Sequence, residues 1–495
     1  MAHVARAGAD IRVLGIDLGT TALKAVLSDG QRVIAAASAP VPTRRPQALW
    51  SEQSPEDWWR ALARACAELA SLRPREWKAV SAVGLSGHMH GAVLFKNGKP
   101  LRACILHNDG RAAAEARDLN RMLPGHAAIA GVRAMAGFTA PKLLWLQRHE
   151  PDVLAQAEVI VSPKDALRFR LTGRHATDPV DASGMWMLDV AQRRWCDDIA
   201  KACGLSSTQL PPILEGNAIA GHLTPAAARA LSLPRGIAVV TGTGDAAANT
   251  LGLGLVGEGD GVVSLGTAAQ IFVSKTRHVP APDKNIHAFA HALPGLWFQM
   301  AALLNGASPL AWLARVLGEE DTLDTTLKRV ARRMAEPSRL LFLPYLTGER
   351  TPHDDPAMRG AFMGLEATTD RSDLTRAVLE GVALSLADAY EALVSTGTVP
   401  RTLFAVGGGF RSPLWTRMIA SALDRPLHLI AASDMGGAIG VARLARQAVT
   451  GEAASALYRK PERSTEVKPD PVWRDRFATR LPQFRALYQA LRPIR

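Results

Sequence analysis

Gly15-Ile16-Asp17-Leu18-Gly19-Thr20-Thr21 stands near the start of this chain, and Ser264-Leu265-Gly266-Thr267-Ala268 opens its second half. In each, an apolar run ends in Leu-Gly-Thr and another apolar run follows. The run before the first copy, Arg12 to Asp17, reads as a buried strand. Ala22 to Leu27 and Val33 to Ala37 come next, separated by Ser28-Asp29-Gly30, and Asp-Gly between apolar runs signals a hairpin. The chain therefore opens as an antiparallel meander. Around the second copy, Gly261 to Gly266 reads as one strand and Thr267 to Ser274 as the next. The same turn in the same setting is an internal repeat. Two related halves predict two similar domains facing each other across a cleft. The Gly-rich stretch from Leu251 to Gly261 marks the boundary, giving domains at 11–253 and 254–495.

Outward from the first copy, Ser54 is placed to N-cap a helix with Pro55 at its first position and Asp57 three residues after the cap. The pattern carries it to about Leu72, burying Trp58, Leu62 and Leu69, and Ala79 to Leu85 reads as the next strand. Strands and helices alternate through both halves, so the class is α/β with mixed sheets. A length of 495 residues exceeds one ordinary core. Hydrophobic residues at 47% and charged residues at 21% exclude disorder and collagen-like order. No apolar run would cross a bilayer without charge, and Met1 to Asp10 lacks the apolar core of a signal peptide. Cys66, Cys104, Cys196 and Cys203 form no Cys-x-x-Cys pair, which predicts reduced thiols, no zinc site and a cytoplasmic protein. The net charge of +12 raises the question of nucleic acid. The basic residues are spread along the chain, however. In the basic stretch from Arg474 to Arg495 they alternate with Phe477, Leu481, Phe484, Tyr488 and Leu491, which reads as a solvated helix face. Neither a nucleic-acid partner nor a membrane is expected.

Four segments carry candidate chemistry. Asp17 ends a buried strand where an apolar side chain is the default, and Gly19-Thr20-Thr21 follows. Glycine admits an anion close to the backbone, the threonines add donors, and the carboxylate suits Mg²⁺ beside phosphates. An Asp capping a tight hairpin is the plainer alternative. Gly266-Thr267 offers the same donors from the other half, so two turns are available to clamp a polyphosphate. Gly242-Thr243-Gly244-Asp245-Ala246 leads into a helix-like run to Thr250, which makes Asp245 either a helix cap or a general base toward an acceptor hydroxyl. Gly407-Gly408-Gly409 follows the short strand Phe404 to Val406 and precedes a helix at Ser412-Pro413. This is either a plain turn or a nucleotide rest, and it is no Walker motif. Gly87-His88-Met89-His90-Gly91 carries two histidines without a third ligand at metal-binding spacing, so a polar substrate contact is the better reading.

Together these residues resemble the FGGY carbohydrate kinases, of the superfamily that includes hexokinase, actin and the heat-shock ATPases. Two long signatures carry the resemblance. One runs from Gly137-Phe138-Thr139-Ala140-Pro141-Lys142 through Leu144-Trp145 to His149. The other runs from Gly360-Ala361-Phe362-Met363-Gly364-Leu365 to Ala377-Val378-Leu379-Glu380. The likeness extends from about Val13 to Leu444. Leu49-Trp50-Ser51-Glu52-Gln53, Met89-His90-Gly91, Asn108-Asp109-Gly110-Arg111, Pro163-Lys164-Asp165 and Leu343-Pro344-Tyr345-Leu346-Thr347-Gly348-Glu349-Arg350-Thr351-Pro352 are similar to the family's xylulose-phosphorylating members.

The resemblance implies two ribonuclease H-like (actin/hexokinase-type) domains around a cleft, with ATP and Mg²⁺ as cofactors, a small sugar as substrate, and a homodimer. The implied reaction is ATP-dependent phosphorylation of D-xylulose to D-xylulose 5-phosphate. It implies Asp245 as catalytic base, Asp17 beside the Mg·ATP phosphates, and Met89 and His90 against the sugar. Asn108 and Asp109 would line or support the sugar pocket, and Gly407 to Gly409 would hold the adenosine. The chain departs from the pattern at His88 (commonly Gln), His107 (often Trp), Ala246 (commonly Asn) and Ala268-Ala269. Those positions keep open another ketose or polyol (ribulose, L-xylulose, glycerol) as substrate. A non-catalytic actin-like ATP-binding protein is the remaining alternative.

Overall fold

The computed structural model describes residues 11–319, 323–334, 338–430, 435–461 and 464–494; Met1 to Asp10, read above as lacking a leader, lies outside them. The opening meander forms as the pattern predicts. Arg12–Leu18 pairs antiparallel with Ala22–Ser28, which pairs antiparallel with Val33–Pro40. The Asp-Gly turn closes because Ser28 Oγ accepts the Gly30 N–H at 2.8 Å, while Asp29 Oδ1 accepts those of Gln31 and Arg32 at 2.8 and 2.7 Å. On the other side of Arg12–Leu18 lies Val80–Gly87, in parallel, and Ala238–Val240 is parallel to that. Ile219–His222 completes the edge.

The second sheet repeats the plan. Asp260–Leu265 pairs antiparallel with Ala269–Lys275, which pairs antiparallel with Trp297–Leu303. Thr402–Val406 lies parallel to Asp260–Leu265, where Val80–Gly87 lies in the first sheet. The Leu-Gly-Thr repeat thus falls at the same hairpin in two copies of one sheet design, closed in two ways: Gly19 N–H donates to Ala22 O at 3.1 Å between paired Leu18 and Leu23, and Gly266 N–H to Ala268 O at 3.0 Å between paired Leu265 and Ala269.

The helix Pro55–Leu72 starts where the cap residue sets it, with Ser54 Oγ accepting the Glu56 N–H. It buries Trp58, Leu62 and Leu69. Truncating one such leucine costs about 2–5 kcal/mol. The basic stretch near the end forms the helix Pro471–Leu491, with Phe477, Leu481, Phe484 and Tyr488 buried. Its arginines are engaged: Arg485 Nε donates to Asp388 at 2.6 Å and Arg480 Nη1 to Ser338 O at 2.5 Å.

One connection escapes the two-halves pattern. The helix Gly436–Thr450 belongs to the second half by sequence but packs on the first sheet. Gly15 and Gly84, side by side in adjacent strands, make this possible: a Cβ on either would overlap the carbonyl oxygens of Ala438 and Val441 respectively.

Candidate active site

Two carboxylates meet at the end of the central strand Val80–Gly87. Asp17 stands opposite Ser86 on one side; on the other, Thr243 and Gly244 pair with Ser86 and Gly87 and deliver Asp245 as the first residue of the helix Asp245–Gly252. Ser86 Oγ donates to Asp17 Oδ1 at 2.5 Å. Asp17 Oδ2 faces Gly437, where a Cβ would sit only 2.7 Å away. Burial raises the Asp17 carboxyl above its usual range, against the opposing pull of Ser86 and Lys24. Asp245 Oδ1 accepts the Ala246 N–H at 2.8 Å. Burial, and next the charge of Asp17, push the Asp245 carboxyl up to about 7. A carboxylate balanced near neutrality is suited to taking a proton from an alcohol.

Asp245 opens onto a cavity of about 160 Å³ whose walls come from both halves. Met89, His90, His107 and Ala246 contribute from the first half, and Gln270, His287 and Arg350 from the second. Larger hollows exist, one of about 430 Å³ beside Trp473 and Arg476, but none of those described is lined by Asp17 or Asp245. His90 takes a left-handed backbone (φ 70°) and is held from three sides. Its Nδ1 lies 2.7 Å from the Gly184 carbonyl, which only accepts, so Nδ1 carries the proton and Nε2 is the acceptor. Its own carbonyl receives Lys142 Nζ at 2.7 Å and Thr139 Oγ1 at 3.0 Å. Burial holds the imidazole well below its usual pKa, so it is neutral.

Beneath this wall lies a fully buried charge cluster. Lys164 Nζ is 2.5 Å from Asp165, 3.2 Å from Asp178 and 3.2 Å from Asp181, and it also reaches Thr241 O at 3.1 Å. Asp178 caps the short helix Pro179–Gly184 that holds His90. The cluster ties the segment leading to Asp245 to the segment holding His90.

Asn108 and Asp109 do not line the cavity. Asn108 is exposed. Asp109 is buried behind the wall, bonded through both oxygens to Arg111 at 2.9 and 2.7 Å and accepting the Ser51 N–H at 2.6 Å. Of the departures from the family pattern, His107 and Ala246 line the cavity. His88 sits one layer back, its ring 5.8 Å from His107 and 5.9 Å from Trp58, with neither ring nitrogen bonded.

At the other turn, Gly266 O and Thr267 O accept the N–H groups of Ala307 and Gly306 at 2.7 and 2.9 Å. This sets Thr267 beside a cavity of about 410 Å³ at the N-terminus of the helix Ser308–Leu317, with Asn305, Trp312 and Thr347 among its walls. Gly407 and Gly409 are packing residues, since a Cβ on either would strike Leu265; Gly408 alone is exposed with nothing within 4 Å. Thr20 and Thr21 lie at the surface of the first turn. Sequence reasoning missed Gln270, His287, Asn305 and Trp312. It quoted Arg350 within a family phrase without giving it a role.

A two-domain α/β fold with repeated mixed sheets, and two acids at the joint, is the architecture of the actin/hexokinase-type kinases. Models of the FGGY family of carbohydrate kinases match the chain, the N-terminal domain over residues 12–252 and the C-terminal domain over 261–449, and the chain belongs to this family. It is 40% identical to the xylulose kinase of Escherichia coli over 97% of this chain and 99% of that one. It is 32% identical to the xylulose kinase of Bacillus subtilis over 88% and 87%. The crystal structure of a "xyloylose kinase" from Brucella ovis superposes with a TM-score of 0.93 at 40% identity, over 98% of this chain and 100% of that one. That of the xylulose kinase from Rhodospirillum rubrum gives 0.90 at 29%, over 98% and 99%.

Proposed function

We propose that this carbohydrate kinase transfers the γ-phosphoryl group of ATP to the 5-hydroxyl of D-xylulose, yielding D-xylulose 5-phosphate and ADP. The observation that carries the reading is Asp245, a carboxyl near Asp17 lifted to about 7 and opening onto a small cavity lined by apolar side chains with a few polar ones. Asp245 accepts the proton of the 5-hydroxyl as that oxygen bonds to the γ-phosphorus and the bond to the β–γ bridging oxygen breaks. Such assistance is worth about 10²- to 10⁴-fold. Met89 and His90 hold the sugar; Asp109, through Arg111, supports the wall behind it.

Asp17 fits a magnesium site: Oδ1 is oriented by Ser86, and Oδ2 faces a glycine that leaves room. Mg²⁺ bound there would neutralise phosphate charge. Thr20, Thr21 and Thr267 supply donors for the phosphates, while Gly19 and Gly266, whose N–H groups close the turns, let the phosphates approach the backbone. Exposed Gly408 lets the nucleotide approach, while Gly407 and Gly409 shape the turn beneath it. In this reading residues 11–253 bind sugar and phosphate, and 254–495 bind nucleotide. A cytoplasmic location, which four free cysteines suit, and a homodimer complete it; light scattering tests the oligomeric state.

His107 and Ala246 in the cavity favour a second reading, a kinase of the same family for another ketose or polyol. Hydroxyl readout by polar walls is where such sites discriminate most. ADP release with Mg·ATP and D-xylulose, L-xylulose, D-ribulose, L-ribulose, glycerol or no sugar separates the two. Preference for D-xylulose supports the first reading, and preference for another member replaces it. Absence of any sugar-dependent release refutes both.

A further inference from the structure

A 2-ketopentose closes its furanose ring through the 5-hydroxyl. The oxygen that takes the phosphoryl group is therefore free only in the open chain, and the open chain carries an exposed C2 ketone. A site for such a substrate needs a hydrogen-bond donor for that ketone, away from the base.

The cavity has two chemically distinct ends. The Asp245 carboxyl feels the charge of Asp17. The rings of His107 and His287 feel that of Arg350; burial first, then Lys142 and Arg350 at His107 and Arg350 at His287, leave them neutral, at about 4 and about 3. The Nδ1 atoms of His107 and His287 are buried without hydrogen-bond partners. Among the described residues the Arg350 guanidinium makes no hydrogen bond and no ion pair, although its backbone is pinned. Arg350 N–H donates to Glu349 Oε1 at 2.8 Å, and the same oxygen accepts the Leu304 N–H at 2.7 Å. Asn285 Nδ2 donates to Arg350 O at 2.9 Å. Next to it, Thr351 N–H donates to Ala302 O at 3.0 Å, and Thr351 Oγ1 donates to Asn285 O at 2.8 Å. The guanidinium, on a pinned backbone and near the charges of Glu349 and Asp354 without a hydrogen bond to either, lines a small cavity with its donors open to a ligand acceptor.

We infer that Arg350, from the second half of the chain, recognises the C2 ketone end of the open-chain ketose, with His107 and His287 bonding the adjacent hydroxyls. The inference rests on the sugar-kinase reading above and adds the basis of its selectivity for ketoses over polyols. Since the base end belongs to the first half, one substrate bridges both domains, and the correct functional group at C2 helps to hold them together.

The test compares kcat/KM for each ketose with that for the polyol bearing a hydroxyl at C2: D-xylulose against xylitol and D-ribulose against ribitol. It uses the full chain with Mg·ATP. In Arg350→Met the ketose-to-polyol ratio should fall about 30-fold, the scale of a lost charge-assisted hydrogen bond, mainly through KM. Arg350→Lys keeps the charge without the planar fork and should lose roughly 10-fold. An unchanged ratio in Arg350→Met overturns the inference while leaving the D-xylulose reading intact. If that variant does not fold, an unchanged ratio in Arg350→Lys overturns it instead. Wild-type preference for D-ribulose would refute the D-xylulose reading alone, since the ribulose-to-ribitol ratio still tests Arg350. A wild type indifferent between ketose and polyol overturns the inference directly.

Discussion

Replacing Asp245 with Asn should remove turnover and stabilise the protein at the same time. The carboxyl is raised from 3.8 to about 7 by burial and by Asp17. Below pH 3.8 it is protonated in both folded and unfolded chains and contributes nothing. Between 3.8 and 7 the unfolded chain ionises and the folded one does not, so the folded state loses ground at about 1.4 kcal/mol per pH unit. Above 7 both are ionised and the full penalty stands, at most about 4 kcal/mol. Asn carries no charge, and its Oδ1 can still accept the Ala246 N–H. Asp245→Asn should therefore raise the melting temperature of the ligand-free protein by up to about 4 °C at pH 8. The gain should shrink steadily toward pH 4, while kcat drops by about 10²- to 10⁴-fold. Differential scanning fluorimetry across pH, with coupled detection of ADP, reads both. A melting temperature that falls, or a gain that does not vary with pH, would refute the account of the carboxyl; near-normal turnover would refute its role.

In metal-free protein, a carboxyl NMR titration should place the Asp245 midpoint near 7, and Asp17→Asn should move it down by removing the like charge; a wild-type midpoint near 4 would contradict the burial argument. Lys164→Met strips Asp165, Asp178 and Asp181 of their shared cation and should cost about 3–5 kcal/mol in chemical denaturation. A loss below about 1 kcal/mol would mean the cluster relaxes to water. Gly409→Ala, which would strike the Leu265 side chain, should destabilise by about 1–3 kcal/mol. Gly408→Ala should stay within about 0.5 kcal/mol of wild type yet raise KM for ATP, and an unchanged KM would detach Gly408 from the nucleotide.

Much of this fold is legible in local chemistry. The Ser28-Asp29-Gly30 turn closes through its own side chains, and Ser54 and Pro55 start a helix wherever such residues stand. The Leu-Gly-Thr repeat shows because the same hairpin is needed twice. Asp17 stands out because a carboxylate at the end of an apolar run is costly without a task, and Asp245 because glycines strip away bulk just before it at the start of a helix. What local patterns do not carry is pairing across the chain. Arg350 and His287 enter the cavity at Asp245 only because the second sheet faces the first, and no spacing near Asp245 encodes that. Asn108, inside the phrase shared with relatives, turns outward while Asp109 turns in, a choice made by Arg111 and Ser51 rather than by periodicity. Gly407 and Gly409, read with Gly408 as a possible nucleotide rest, are shaped by contact with Leu265.

The helix Gly436–Thr450 has a consequence for how the protein is made. The face of the first sheet that carries Gly15 and Gly84 is covered by a segment synthesised about 350 to 420 residues later, which at ribosomal speed is roughly 20–85 s. For that interval the earliest strands exist with their glycine seam bare. An isolated fragment ending before residue 436 would keep it bare permanently and should aggregate or be degraded. The order of synthesis and the order of completion therefore run in opposite directions: the oldest part of the chain is the last to be finished.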